Sequence, residues 1–125
     1  MRIKSSRAGG FTLVEIMIVV AIIGLLATIA IPNFVRARLK AQQSACINNL
    51  RQIDGAKQTW ALENRAAQTT VPTLANIQPY LGRGTAGTAP TCPADNANTF
   101  VTSYNLNDLQ TAPTCLIDPG SHHLD

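Results

Sequence analysis

The chain has 125 residues and a formal net charge of +3, with 46% hydrophobic and 14% charged residues. That length accommodates one small domain and excludes a multidomain enzyme. Arg2, Lys4 and Arg7 account for the positive excess; the other basic residues equal the seven acidic ones in number, so the high pI does not argue for a nucleic-acid surface.

Residues 1–10 form a short basic leader that ends in Gly9-Gly10, and an apolar segment begins at once with Phe11. A secretory signal has the reverse order, with its small residues after the apolar region, so cutting there discards that region. A cut after Gly10 retains it. Phe11 to Ile31 is broken only by Thr12, Glu15, Gly24 and Thr28. As a helix it is about 30 Å long, the thickness of a bilayer core. The leader charge fits retention of the amino terminus in the cytoplasm, although Arg36, Arg38 and Lys40 flank the other end.

Glu15 is costly inside lipid and calls for a partner. Cleavage after Gly10 supplies one, because the freed amino group of Phe11 is cationic at neutral pH. In subunits packed with staggered register, Glu15 of one can neutralise Phe11 of the next, setting register more than stability. A shallow Glu15 reaching the headgroups is the alternative. Pro32 lacks the N–H that would bond the carbonyl of Thr28, so the helix there ends, kinks or loosens, and Gly24 is a second weak point.

From Asn33 to Asn64 the composition favours a helix, with Gly55 the one poor former. Leu39, Cys46, Leu50, Ile53, Ala56 and Trp60 mark a core-facing stripe, and Arg36, Lys40, Gln43, Arg51, Lys57 and Asn64 the solvent side. Joined to the apolar segment, this makes one rod of about fifty residues, about 80 Å long. Beyond it, Thr73 can cap a short helix over Leu74 to Leu81. Gly82 to Pro90 reads as a flexible loop, Thr99 to Tyr104 as a strand, and Thr114 to Ile117 as a second short strand.

Of three cysteines, Cys92 and Cys115 lie in the polar carboxy-terminal part, where an exported small domain commonly carries a staple; a Cys92–Cys115 disulfide is expected. Cys46 falls on the apolar helical face and reads as a buried free thiol. His122-His123 with Asp125 reads as a solvated tail rather than a metal site. No nucleophile–base arrangement or phosphate-binding loop carries a supporting motif, so catalysis is not expected.

Gly9-Gly10-Phe11-Thr12-Leu13-Val14-Glu15, with the apolar run to Ile31-Pro32, resembles the amino terminus of type IV prepilins and type II secretion pseudopilins. The resemblance implies cleavage after Gly10 and N-methylation of Phe11 by a prepilin peptidase/methyltransferase. It implies an assembly role for Glu15, and helix unwinding in filaments between Gly24 and Pro32. It also raises a calcium site in a carboxy-terminal loop, with Asn105, Asn107, Asp108 and Asp118 as candidate oxygens, although they form no diagnostic ladder.

The expected fold class is α+β and pilin-like: a long amino-terminal helix, half of it transmembrane, with a small cap containing a short antiparallel sheet. Its parts are a leader (1–10), a membrane and filament-core helix (11–32), its amphipathic continuation (33–65) and the cap (66–125). The expected function is that of a structural subunit, a homo-oligomer held by its apolar helices, most simply a type II secretion pseudopilin. A type IV pilin for adhesion, motility or DNA uptake is the alternative. The expected location is the inner membrane, crossed once, with a periplasmic carboxy-terminal domain that later joins a periplasmic or surface filament. Assembly machinery in that membrane is the expected partner, and no cofactor or nucleic acid is called for.

Overall fold

A computed structural model of the chain describes residues 9–82 and 87–125, so the basic charges of the leader and the middle of the Gly82 to Pro90 loop lie outside it. Helix α1 runs from Leu13 to Asn64, 52 residues with Pro32 inside. The expected interruption at Pro32 does not end the helix. Long flanks of good helix formers sustain the hydrogen-bond ladder on either side of the one N–H that proline removes. One turn earlier, the Thr28 hydroxyl donates to the carbonyl of Leu25 at 2.7 Å.

Contacts divide the chain between Ala37 and Arg38. In the first unit, every large apolar side chain from Phe11 to Val35 is at least half exposed. A helix apolar on all sides and unburied has the length and composition to cross a membrane.

The second unit is folded around the other half of α1. Cys46, Leu50, Ile53 and Ala56 on that helix pack with Ile77, Leu81, Cys92, Phe100, Tyr104, Leu106 and Cys115. Two positions depart from the expected helix faces. Leu39 is 60% exposed, because the folded unit begins only at Arg38 and little lies against it. Lys57, assigned to the solvent side, is completely buried.

The rest of the unit is short pieces. Helix α2 spans Leu74–Ile77 and runs into a 3-10 turn at Gln78–Tyr80. The Thr73 hydroxyl donates to the Asn76 side chain instead of capping the backbone. Gly87 must be glycine, since a Cβ there would lie 1.9 Å from the carbonyl oxygen of Leu81. The strand expected over Thr99 to Tyr104 is instead a helical turn, α3 (Phe100–Ser103), followed by strand β1 (Tyr104–Asn105). Local capping outweighs β-propensity here: the Thr99 hydroxyl accepts the N–H of Thr102 at 3.3 Å. Strand β2 (Thr114–Cys115) pairs antiparallel with β1, Tyr104 opposite Cys115 and Asn105 opposite Thr114.

Candidate functional site

Among the described residues, three places concentrate polar chemistry that bears on function. The first is the start of α1. Thr12 precedes the helix, and its backbone N–H and hydroxyl donate to Glu15 Oε2 at 2.7 and 3.0 Å. The Glu15 N–H returns a bond to the Thr12 hydroxyl at 3.3 Å. This is a reciprocal capping box, in which threonine and glutamate three residues apart satisfy N–H groups that a helix start leaves free. Glu15 therefore has a partner inside its own chain. The Thr-x-x-Glu spacing carried that signal in the sequence, and attention to its charge alone passes over it.

The second place is Lys57. Its ammonium group donates to the carbonyls of Leu106, Asp108 and Thr111 at 2.6, 2.8 and 2.8 Å. One cation so organises the loop between β1 and β2. Burial pulls the lysine below its ordinary value, opposed by Asp54 and Asp108.

The proposed calcium candidates have other partners. Asn107 donates to the carbonyl of Ala112 and its N–H to Asn105 Oδ1. Asp108 accepts the N–H of Thr111, and Asp118 accepts from Ser121 in the tail. The Thr111 bonds and, less strongly, Lys57 hold the Asp108 carboxyl below its ordinary value of 3.8. A depressed folded value makes this contribution to stability present above the ordinary carboxylate range and lost as the pH falls through the folded value. Asp108→Asn should therefore lower the melting midpoint at pH 7 and change it little in strong acid. An equal loss at both pH values would remove the charge from the explanation.

The third place is the centre of the folded unit. The sulfurs of Cys46, Cys92 and Cys115 and a ring nitrogen of His122 all lie within 4.8 Å of one another, and all four residues are buried. Each comes from a different segment. Cys46 is on α1, Cys92 follows the glycine loop, Cys115 is on β2, and His122 is in the tail. No disulfide joins the three cysteines in the structure, Cys92 and Cys115 included. Burial raises both Cys46 and Cys92 above the ordinary thiol value. The adjacent histidines part company: His122 turns inward, while His123 lies outside, 3.7 Å from Asp125.

Gly9 and Gly10 are exposed ahead of this architecture, with Phe11 87% exposed and Gly24 in open space. A family model described as the prokaryotic N-terminal methylation motif matches residues 5–31. The type II secretion system core protein G of Escherichia coli K12 is 31% identical over 117 residues, covering 90% of this chain and 74% of that protein.

This chain belongs to the type IV pilin and type II secretion pseudopilin family.

Within that family, the type IV major pilin PilA of Myxococcus xanthus is 49% identical over 57 residues, 46% of this chain and 26% of that protein. The type IV major fimbrial protein FimA of Dichelobacter nodosus is 39% identical over 85 residues, 68% of this chain and 54% of its own. The chain thus spans about a quarter and about half of those two pilins, and the core protein G match extends furthest of the three. No solved structure matches at a significant level. The α+β pilin class expected from the sequence is the one observed, a long apolar helix with a two-stranded antiparallel sheet.

Proposed function

We propose that this chain is a structural subunit of a type II secretion pseudopilus, anchored in the inner membrane before assembly and catalysing no reaction itself. The observation that carries this reading is the relationship to core protein G along 90% of the chain, the amino-terminal motif included. Prepilin peptidase cuts between Gly10 and Phe11, and Phe11 is then N-methylated. The helix of residues 11–32 spans the membrane, and the remainder lies in the periplasm. Extraction into the filament exchanges lipid contacts for contacts between apolar helices. Gly24 and Pro32 are where the helix can loosen as it packs. The exposed apolar surface from Phe11 to Val35 supports this, since a helix without a partner for that surface needs lipid or other copies of itself.

Mass spectrometry of the full-length protein from its host tests the processing step. The mature chain should begin at methylated Phe11, and Gly10→Ala should leave the leader attached. Normal processing of that variant would falsify the cleavage assignment. Mature protein abundant in filaments sheared from the cell surface would favour the type IV pilin reading instead, with adhesion, motility or DNA uptake as its use.

A further inference from the structure

We propose that Cys46, Cys92, Cys115 and His122 form a tetrahedral zinc site at the centre of the carboxy-terminal unit. Three thiolates and one imidazole are a standard ligand set for structural zinc, and soft sulfur ligands select it over harder cations. The separations fit. With Zn–S about 2.3 Å and Zn–N about 2.0 Å, tetrahedral geometry places sulfur and nitrogen about 3.5 Å apart and two sulfurs about 3.8 Å apart. His122 Nδ1 lies 3.8 Å from Cys92 Sγ and 3.7 Å from Cys115 Sγ, and the full set is contained within 4.8 Å. These distances exceed good hydrogen bonds to nitrogen; a bound ion would draw the two histidine pairs in slightly and the widest separation by up to about 1 Å.

Around the ligands, other groups fix their positions. The Cys92 N–H donates to the Ser103 hydroxyl at 3.0 Å, and that hydroxyl donates to Asp95 Oδ2 at 2.8 Å. Cys115 is set by its pairing opposite Tyr104. The tail turn that carries His122 is closed by its own N–H to the Asp118 carbonyl at 2.9 Å. Gln43 on α1 ties down the same turn through the Ser121 carbonyl at 2.8 Å. A histidine presented to thiols by this much scaffolding is not a solvated tail residue.

The unit is also one to which a staple would contribute. Its sheet has two residues per strand and its core is one small cluster. A metal or a disulfide at its centre would add stability to a unit with so little regular structure. Zinc would join α1, the loop, β2 and the tail at one point, and its binding energy would count directly toward folding. A Cys92–Cys115 disulfide is the competing use of the same sulfurs. It would join only two segments and give neither Cys46 nor His122 a role.

The test uses the full chain purified in detergent, loaded with zinc and passed through metal-free buffer. Elemental analysis should find about one zinc per chain. Cobalt in its place should give sulfur-to-metal charge-transfer absorption in the near ultraviolet, together with visible bands of tetrahedral cobalt. Intact mass after denaturation in chelator should show three free thiols. Cys46→Ser and His122→Ala should lose the metal, whereas His122→Cys, which keeps four ligands, should retain it. A strong chelator should lower the melting midpoint and a reductant should not. Substoichiometric zinc, or a mass lower by two hydrogens with stability sensitive to reductant alone, overturns the proposal. Retention of one zinc by Cys46→Ser overturns it equally.

Discussion

Replacing Lys57 by methionine should destabilise the folded unit by about 3–5 kcal/mol, because three carbonyl acceptors lose their charged donor at once. For a unit of this size that lowers the melting midpoint by more than about 12 °C. Methionine fills similar volume, so the loss is not a cavity effect. What it removes is the donor shared by the carbonyls of Leu106, Asp108 and Thr111, which lie near a position closed to water and would be left without it. Lys57→Arg should fall between the two. It keeps the charge, but a planar guanidinium cannot direct its donors to three points around one small centre as an ammonium does. Trp60, the only tryptophan, packs against the same core, so its fluorescence during denaturant unfolding reports this unit and not the membrane segment. A change below about 1 kcal/mol would mean that water reaches those carbonyls and that the lysine is dispensable.

Lys57 also marks where the sequence stops being legible. The amino-terminal half could be read because its signal is continuous: no charge between Ile16 and Ile31, glycines before the apolar run, one carboxylate. The periodicity of Cys46, Leu50, Ile53 and Ala56 likewise gave the correct buried stripe. A lysine next to that stripe reads as its polar border, and only the return of the 106–111 loop over the helix makes it interior. His122 was hidden in the same way. Its neighbours Pro119, Gly120 and Ser121 announce a turn, but nothing local says that the turn brings the ring against cysteines 7 and 30 residues earlier. Short elements were the least legible. Thr99 to Tyr104 is rich in strand formers, yet one threonine cap converts its first part into a helical turn. In each case the deciding contact is tertiary, or is a single hydrogen bond against a weak propensity.

Glu15→Gln should separate the capping role that the structure shows for this side chain from the pairing role expected of it between subunits. The amide oxygen of glutamine can still accept from the Thr12 N–H and hydroxyl, so the capping box at the start of α1 survives. The charge does not. If Glu15 neutralises the Phe11 amine of a neighbouring subunit, that amine is left unpaired in an apolar filament core, at a cost of about 3–5 kcal/mol per contact. At about 1.4 kcal/mol per tenfold change, recovery of sedimentable filaments should fall by about a hundredfold or more. Cleavage after Gly10 should be unaffected, because the bond cut lies outside the helix that Glu15 begins. Glu15→Ala removes both the charge and the cap and should assemble no better than the glutamine variant. The comparison is decided by the glutamine variant: wild-type filament yield there, with loss in the alanine variant, would assign Glu15 to starting its own helix. In that case register between subunits would have to come from the shape of the apolar surface between Phe11 and Val35 alone.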